Sequence, residues 1–317
     1  METILVTAIG SFSATCVITS LKQNKFTVIG TDIYQKEWHM ESYLCDKFYQ
    51  CPYASQEQDY ISFMFNLCQK EKISILIPLT DLEIDVFNRN RKLFEGINVI
   101  LAMPDESTLK IARNKYLLFD YFKDDNLVAS IDTKRCPIDD IPFSFPFIAK
   151  PYNGRSSEGL RFINNKIEFE IVKDNPDYIF QEKINGPIVT VDYVRNKYSK
   201  QDFYVPRYEL LRTKNGAGIS VKIFKNDNLA ELVSYIGNKI NVNGCICLEF
   251  IENEDKFYLI DINPRFSAGV AFSCKMGYDM VYSHLMCHLK KNILEPIKYR
   301  ECNLVKFYQE KITEFIN

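Results

Sequence analysis

Short apolar runs alternate with polar, helix-like segments over the first hundred residues. Short continuous or alternating apolar runs indicate strands, whereas apolar positions three or four apart indicate helices. The strand candidates are 4–6, 27–30, 73–77 and 99–101, and the helix candidates are 13–24, 56–70 and 82–94. Because strands that alternate with helices form parallel, doubly wound sheets, the pattern predicts a Rossmann-like lobe over residues 1–105.

The rest of the chain has a different pattern. A helical stretch begins near Pro104, and a proline-rich segment at 137–146 leads into an apolar strand at 147–151. Strand signals then dominate, and a helix follows at 278–290; the strands are 189–194, 203–211, 219–224, 245–251 and 256–262. The chain is therefore predicted to be α/β (α+β), with a small lobe and linking helices over 106–188 and a larger lobe with C-terminal helices over 189–317.

Composition narrows the class of protein. With 317 residues, 46% of them apolar and 25% charged, the chain is long enough for two or three folded lobes. Its 39 basic and 41 acidic side chains nearly balance, so we expect neither nucleic acid nor an anionic membrane as a partner. No run approaches membrane-spanning length, and the N-terminus does not resemble a signal peptide.

The ten cysteines are scattered without a CxxC pair, which argues against a zinc site and against a disulfide framework. They are typical of reduced thiols, and we therefore expect a soluble cytoplasmic protein. His284 and His288 lie one helical turn apart, a spacing that can bind zinc. The apolar residues between them favour a packed helix instead.

The strongest chemical signal is a pair of strands around 247–250 and 259–265. A short turn at 252–255 would bring Glu249 beside Asp261, with Asn263 two residues further on the same face. Two carboxylates and an amide oxygen suit magnesium, and Arg265 would reach the same phosphates as a forked donor. An acidic surface turn is the alternative, but it explains poorly an acid set among apolar neighbours.

Two other segments could contact a nucleotide. Lys150 ends a strand and opens a loop rich in glycine and serine, which could bind a polyphosphate or simply form a hairpin turn. The strand at 178–184 could hold an adenine edge and place Glu182 near ribose hydroxyls, or be an exposed strand end.

Basic residues precede the turn at 216–218. Arg207, Arg212 and Lys214 could neutralise the charge of a γ-phosphate. Alternatively, they could be hydrated basic residues on a solvent-exposed hairpin without a ligand. Arg207 is the stronger candidate because it follows Pro206 at an expected strand boundary.

The first lobe lacks the signature of a dinucleotide site. Gly10 stands alone where a dinucleotide-binding turn carries three glycines, although Asp32 ends the second strand at the position of a ribose-binding acid. A structural or substrate-shaping lobe is therefore favoured over a cofactor site.

Taken in order, these motifs resemble the ATP-grasp superfamily, in particular the branch similar to the carbamoyl-phosphate synthetase large subunit and biotin carboxylase. The resemblance covers about residues 4–290, including the segment 78–83 of a pre-ATP-grasp lobe. Its motifs are Lys115, Lys150 with the loop 154–159, the segment 181–184, Glu249 and the segment 261–265.

The resemblance implies a role for each motif. Glu249, Asp261 and Asn263 would coordinate Mg²⁺ or Mn²⁺, Arg265 would steady the transferred phosphoryl group, and Lys214 falls near a position that meets the phosphates. The residues implied to bind ATP are Lys115, Lys150, Gly154, Ser156, Ser157, Gly159, Gln181, Glu182, Lys183 and Ile184.

The sequence departs from the family pattern at two places. Ile188 stands near the position of a second, ribose-binding Glu, and the loop carries Ser156 for a usual glycine and Tyr152 for a frequent basic residue. These departures put the ribose contacts and the closure of the loop in question.

The resulting hypothesis is a carboxylate–amine ligase that uses ATP and releases ADP and phosphate, with small-molecule carboxylate and amine substrates. The resemblance also allows a homodimer. A non-catalytic ATP-binding regulator is the alternative, and a dinucleotide-dependent enzyme is disfavoured by the missing glycines. The substrate pocket is expected between the first lobe and the strands at 207–222.

Overall fold

The first lobe is a parallel sheet flanked by helices. The computed structural model describes residues 2–154, 158–214 and 216–314. The strands of this lobe are β1 (Thr3–Val6), β2 (Thr27–Asp32), β3 (Lys47–Gln50), β4 (Ile75–Ile77) and β5 (Ile100–Leu101), and its helices are α1 (Ala14–Gln23), α2 (Glu57–Lys70), α3 (Asp81–Arg89) and α4 (Arg91–Glu95). The order β3-β2-β1-β4-β5 confirms the predicted Rossmann-like lobe.

Two details of this lobe differ from the sequence prediction. The helix expected at 82–94 is two helices, because Asn90 leaves helical geometry (φ −111°, ψ 18°) and its amide donates to the Val86 carbonyl and to Glu57. Strand β3 was not predicted. Its partly exposed edge position carries Lys47 and Gln50 and lacks a continuous apolar run.

The middle of the chain forms a four-stranded antiparallel sheet with the order β7-β10-β8-β9. The elements in chain order are α5 (Glu106–Ala112), α6 (Lys115–Phe122), β6 (Ala129–Ser130), β7 (Thr133–Arg135), β8 (Phe147–Pro151), β9 (Arg161–Ile163), α7 (Lys166–Val172) and β10 (Tyr178–Gln181). This sheet has its own small core around Phe147, Phe169 and Phe180, whereas α6 packs on the core of the next sheet.

The last sheet is the largest. Its elements are β11 (Ile188–Arg195), β12 (Asp202–Arg212), β13 (Gly218–Ile223), α8 (Asp227–Lys239), β14 (Gly244–Asn253), β15 (Lys256–Asn263), α9 (Val270–Lys275), α10 (Met280–His288) and β16 (Cys302–Val305). The order is β16-β13-β12-β11-β14-β15-β6, antiparallel except for β6. The antiparallel sheet expected in the large lobe is confirmed, and the domain boundaries stay predictions.

Helix α8 was not predicted, although Asn226 caps it by accepting from the backbone N–H of Leu229. It covers one face of the large sheet, against Val189 and Val191. On the other face, one hydrophobic cluster joins Val205 of this sheet to Ile4 of the first lobe. This shared core fixes the first lobe against the large sheet, so a cleft between them has rigid walls. No helix in the described ranges is long and apolar enough to cross a membrane.

Gly237 tests the packing of α8. An added Cβ there would lie 2.3 Å from the Tyr193 ring. That ring is buried and donates its hydroxyl to Asp202 at 2.8 Å, so it cannot easily move. We expect Gly237→Ala to destabilise the fold by about 1–3 kcal/mol despite the better helix propensity of alanine.

Chemical denaturation measures this effect. Gly96→Ala is the control, because its Cβ would meet nothing closer than 3.4 Å. Equal midpoints for Gly237→Ala and the wild type would contradict the packing described for α8.

Candidate active site

A cleft of about 490 Å³ opens where the three sheets meet. The first lobe contributes the loop after β1 (residues 10–13) and the segment that leads from β4 into α3 (residues 79–81). The small lobe contributes Lys150 and Gly154, and the large sheet contributes residues of β12, β14 and β15. The cleft therefore extends between the first lobe and the strands around 207–218, as well as under the small lobe.

Glu249 and Asp261 face each other across neighbouring strands. The register of β14 and β15 pairs Glu249 with Asp261, and Asn263 follows two residues later on the cleft wall. Each carboxylate meets a cation of the protein: Arg212 Nη2 lies 2.8 Å from Glu249 Oε1, and Lys115 Nζ lies 3.0 Å from Asp261 Oδ2. The predicted pair is thus brought together, and its negative charge is compensated by the chain itself.

The chemistry of this donor set fits a hard divalent cation. Carboxylate and amide oxygens are preferred by Mg²⁺, which completes its shell with phosphate and water rather than with a full protein cage. In the described ranges no three His, Cys, Asp or Glu side chains form a cluster able to hold a metal by themselves.

Lys150 lies at the roof of the cleft. Strand β8 carries it beside β10, where its Nζ donates to Gln181 Oε1 at 2.8 Å. Burial and the nearby charge of Lys115 lower the pKa of Lys150 to about 8. The hydrogen-bond partner of Lys150 is a neutral amide and not a carboxylate, so its ammonium group can bind an anion.

The loop after β8 is partly described. Gly154 lines the cleft, and its carbonyl accepts from Lys115 Nζ at 3.0 Å. Gly159 has a φ of +75°, where a side chain would be strained. Ser156 and Ser157 lie outside the described residues.

The segment 181–184 lies behind the cleft rather than on its wall. Gln181 is buried and also donates to Thr133 at 3.0 Å, whereas Glu182 is exposed. Lys183 lies 5.8 Å from the Phe162 ring centre, and Ile184 is half-buried. Gln181 also borders a small recess lined by Lys115, Ser130 and five apolar residues, Leu118, Phe119, Ile131, Leu259 and Ile260.

Arg265 is held in place by an acid of the first lobe. Its Nη2 lies 2.8 Å from Asp81 Oδ2, and Arg113 approaches the other Asp81 oxygen at 3.7 Å. Burial alone would raise the pKa of Asp81 and lower that of Arg265. The opposite charges outweigh burial, so the pKa of Asp81 is lowered and that of Arg265 is raised. Both groups are therefore ionised.

Arg207 differs from its prediction. It lies in the middle of β12 rather than at a strand boundary, because Pro206 sits within the strand opposite Val191. Its guanidinium is buried and donates to Asp192 at 2.7 Å, to Glu209 at 3.0 Å and to Ser267 at 3.0 Å. Although Arg207 lines the cleft, its positive charge is already paired with the carboxylates of Asp192 and Glu209.

Arg212 and Lys214 take different positions. The register of β12 against β13 shifts between Glu209 and Arg212, and this bulge turns Arg212 onto the cleft wall while Leu211 faces solvent. Lys214 is exposed and is not among the residues that line the cleft. The structure thus brings Arg212, but not Lys214, to Glu249.

Asp32 forms its hydrogen bonds within the first lobe. Asp32 accepts from the backbone N–H of Gly10 at 2.8 Å and from that of Tyr34 at 3.2 Å. A Cβ on Gly10 would lie 2.5 Å from the His39 ring, so this ring fills the space beside the loop. Asp32 is thus engaged by the loop that a dinucleotide would need, which agrees with the missing glycine fingerprint.

His284 and His288 form part of a packed helix. His284 accepts from the backbone N–H of Cys245 at 2.8 Å, and its other ring nitrogen lies 3.1 Å from the Ala102 carbonyl oxygen. Burial lowers the pKa of His284 to about 4. Because both ring nitrogens of His284 are occupied, this pair does not form a zinc site.

Sequence reasoning missed several residues that line the cleft or pair with its arginines. Asp81, Asp192 and Glu209 gave no local signal of their own, because their importance lies in arginine partners far along the chain. The loop 267–269 also lines the cleft. Asp81 could have been found, because Thr80 and Glu83 form a capping box that marks the start of a helix at Asp81.

Comparison with known families agrees with this architecture. Residues 112–269 match the family described as an ATP-grasp domain, and residues 4–102 match a PylC-like N-terminal domain. The chain belongs to the ATP-grasp superfamily. Both matches together span the first lobe, the small lobe and most of the large sheet.

Individual relatives share the ATP-grasp architecture at low identity. A D-alanine–D-alanine ligase from Petrotoga mobilis is 24% identical over 142 residues, which cover 38% of this chain and 47% of the ligase. The match thus spans about half the length of that relative.

Solved ATP-grasp structures show the same fold, at 14% identity in each case. N5-carboxyaminoimidazole synthetase from Staphylococcus aureus has a TM-score of 0.75 and is matched over 96% of this chain and 82% of that chain. The biotin carboxylase domain of 2-oxoglutarate carboxylase from Hydrogenobacter thermophilus, in complex with MgADP and bicarbonate, has a TM-score of 0.74 over 92% and 71%. The biotin carboxylase side of the expected resemblance is confirmed, and the carbamoyl-phosphate synthetase side stays a prediction.

Asp81 tests the link between the first lobe and the site. Asp81→Asn removes a buried negative charge, so Arg265 and Arg113 lose the counter-charge that they share. Because both arginines keep some contact with water, we expect a loss of about 2–3 kcal/mol in the free energy of unfolding.

Asp85→Asn is the matched control. Among the described residues Asp85 pairs only with Arg113, and it is 32% exposed, so its loss should cost less than about 1 kcal/mol. Denaturant unfolding of both variants measures the difference, and equal losses would refute the central role of Asp81.

Proposed function

We propose that this protein is an ATP-dependent carboxylate–amine ligase that forms an amide through an acyl phosphate. The observation that carries the proposal is the pairing of Glu249 with Asp261 inside a cleft that also presents Lys115, Lys150 and Arg265. This set combines acceptors for a metal with donors for phosphates. The sequence match to a D-alanine–D-alanine ligase supports a reaction that joins carbon to nitrogen.

Each part of the cleft would serve one part of Mg-ATP. Lys115, Lys150 and the loop 154–159, with Ser156 and Ser157, would hold the phosphates, and the segment Gln181, Glu182, Lys183 and Ile184 would hold adenine and ribose. Glu249, Asp261 and Asn263 would hold Mg²⁺ or Mn²⁺. When bound, the metal supplies positive charge to the phosphate oxygens as the phosphoryl group is transferred.

The chemistry needs positioning rather than a protein nucleophile. A substrate carboxylate oxygen bonds to the γ-phosphorus, and the bond from that phosphorus to the bridging oxygen breaks with its electron pair left on ADP. An amine nitrogen then bonds to the acyl carbon, phosphate leaves with the carbon–oxygen pair, and a proton passes from nitrogen to solvent. Arg265, fixed by Asp81, would hold the phosphoryl oxygens through both steps.

The substrates would bind between the first lobe and the large sheet. The loops at 10–13 and 267–269 line that end of the cleft, which leaves room for small molecules beside the phosphates. All ten cysteines are free, which supports a reducing compartment such as the cytoplasm. A homodimer stays a prediction.

The decisive experiment is a screen of amino acids and sugar acids for ADP formation, with hydroxylamine present to trap an acyl phosphate. We expect one acid class to give hydroxamate, and Glu249→Gln with Asp261→Asn to lower its rate at least about 100-fold, because both metal carboxylates are lost.

Glu252→Gln is the control for this experiment. It lies on the same strand as Glu249 but accepts from Tyr208 at 2.7 Å, away from the cleft. If the protein binds ATP yet no acid yields ADP or hydroxamate, it is a regulator and not a ligase.

Lys150 gives the proposal a dependence on pH. Its pKa of about 8 lies below the usual lysine value of 10.5, so the cation is present below pH 8 and is lost as the pH rises. We expect the affinity for ADP to fall about tenfold between pH 8 and pH 9.5.

Calorimetry of ADP binding across this range measures the effect. Lys150→Arg keeps its charge throughout and should bind ADP with little dependence on pH. Superimposable profiles for wild type and variant would show that Lys150 does not bind the phosphates.

A further inference from the structure

Arg212 is placed between two acids and contacts only one of them. Its Nη2 donates to Glu249 Oε1 at 2.8 Å, whereas its Nε lies 3.8 Å from Glu209 Oε2, beyond hydrogen-bond distance. The bulge in β12 creates this arrangement, because it puts Glu209 and Arg212 on the same face of the sheet, toward the cleft.

Both atoms of the open contact are unsatisfied. Glu209 Oε2 and Arg212 Nε are buried and have no hydrogen-bond partner among the described residues. A buried carboxylate oxygen without a donor is costly, and such groups call for an explanation. A movement of about 1 Å would bring them within hydrogen-bond distance.

The surroundings keep Glu209 in position to receive a partner. Its Oε1 accepts from Arg207 Nε at 3.0 Å, which holds the carboxylate in place. A Cβ on Gly218 would lie 2.4 Å from Oε2, so the missing side chain leaves the space that this oxygen occupies. The other nearby cation, Lys306, donates to the Ala268 carbonyl at 2.9 Å.

We propose that Glu209 is a positioning residue: its carboxylate binds the Arg212 guanidinium when a divalent metal displaces that guanidinium from Glu249. This inference rests on the proposed function, because it needs Glu249 to be a metal ligand. In the structure Arg212 Nη2 occupies Oε1 of Glu249, and a metal bound through that oxygen would displace the guanidinium. Glu209 offers the displaced guanidinium a second carboxylate within reach, so its charge is not left unpaired inside the cleft.

This arrangement has a measurable consequence for metal affinity. Arg212 competes with the metal for Glu249. When Arg212 pairs with Glu209 instead, it leaves Glu249 free and this competition is weaker. Removing the receiving carboxylate should weaken metal binding about tenfold, the size of one charge-assisted hydrogen bond. Removing Arg212 itself should tighten metal binding, because the competitor is gone.

The experiment is a titration of Mn²⁺ into the protein with ADP, in which free Mn²⁺ is followed by electron paramagnetic resonance. We expect Glu209→Gln to raise the dissociation constant about tenfold and Arg212→Gln to lower it. In the Arg212→Gln background, Glu209→Gln should not change the dissociation constant further, because there is no guanidinium for Glu209 to bind.

Asp192→Asn is the matched control. Asp192 accepts from the same Arg207 guanidinium at 2.7 Å but does not line the cleft, and it carries the same charge as Glu209. Thermal unfolding followed by circular dichroism checks the fold of each variant. If Glu209→Gln does not fold, Arg212→Gln still decides, since unchanged or weaker Mn²⁺ binding in that variant overturns the proposal.

Two further results would overturn it. Equal weakening by Glu209→Gln and Asp192→Asn would mean that Glu209 only supports Arg207. An effect of Glu209→Gln that persists without Arg212 would mean that its charge acts on the metal directly. Failure of the proposed function looks different, because Glu249→Gln would then leave Mn²⁺ binding unchanged.

Discussion

The register between β14 and β15 is the constraint from which the rest of the site follows. It places the carboxylates of Glu249 and Asp261 at paired positions, where like charges destabilise a sheet unless cations compensate them. The compensating cations come from two different parts of the chain, Lys115 at the start of α6 and Arg212 at the bulge of β12. The acidic pair therefore dictates which distant elements must converge on the cleft.

The same logic extends to the first lobe. Asp81 is the first residue of α3, yet its partners are Arg265, just after β15, and Arg113, just after α5. This nearly buried ion pair ties the parallel sheet to the large sheet, beside the apolar cluster that the two share. Because breaking such a pair leaves an uncompensated charge, the relative placement of the lobes is strongly specified at the point where the cleft needs rigid walls.

The acidic pair of the site was predictable from sequence because it depends on local periodicity. Two alternating strands and a short turn are enough to place Glu249 beside Asp261. The roles of Arg207 and Arg212 were not predictable in this way. Arg207 is balanced by Asp192, an acid fifteen positions earlier on the neighbouring strand, and Arg212 faces the cleft only because of a bulge that no residue type announces.

The fold shows the same division between local and distant information. The first lobe was predicted in its main strands and helices because each is a short, strongly patterned element. Helix α8 was missed between strands whose signals dominated, although Asn226 is an ordinary helix cap. The small sheet was only partly visible, because β7 and β9 are three residues long and are specified by pairing with β10 and β8.

Under the proposed function, the ion pairs of the cleft would also couple the binding of the metal to that of the nucleotide. The side chains of Lys115 and Arg212 are engaged with Asp261 and Glu249, so a metal that bound both acids would break both pairs. Glu209 would then receive Arg212, whereas Lys115 would lose its counter-charge. A nucleotide that arrives with the metal brings phosphates to which Lys115 can turn. Because binding free energies are coupled reciprocally, metal and nucleotide should each raise the affinity for the other. The acidic pair is thereby kept compensated at every stage, first by the protein and then by its ligands.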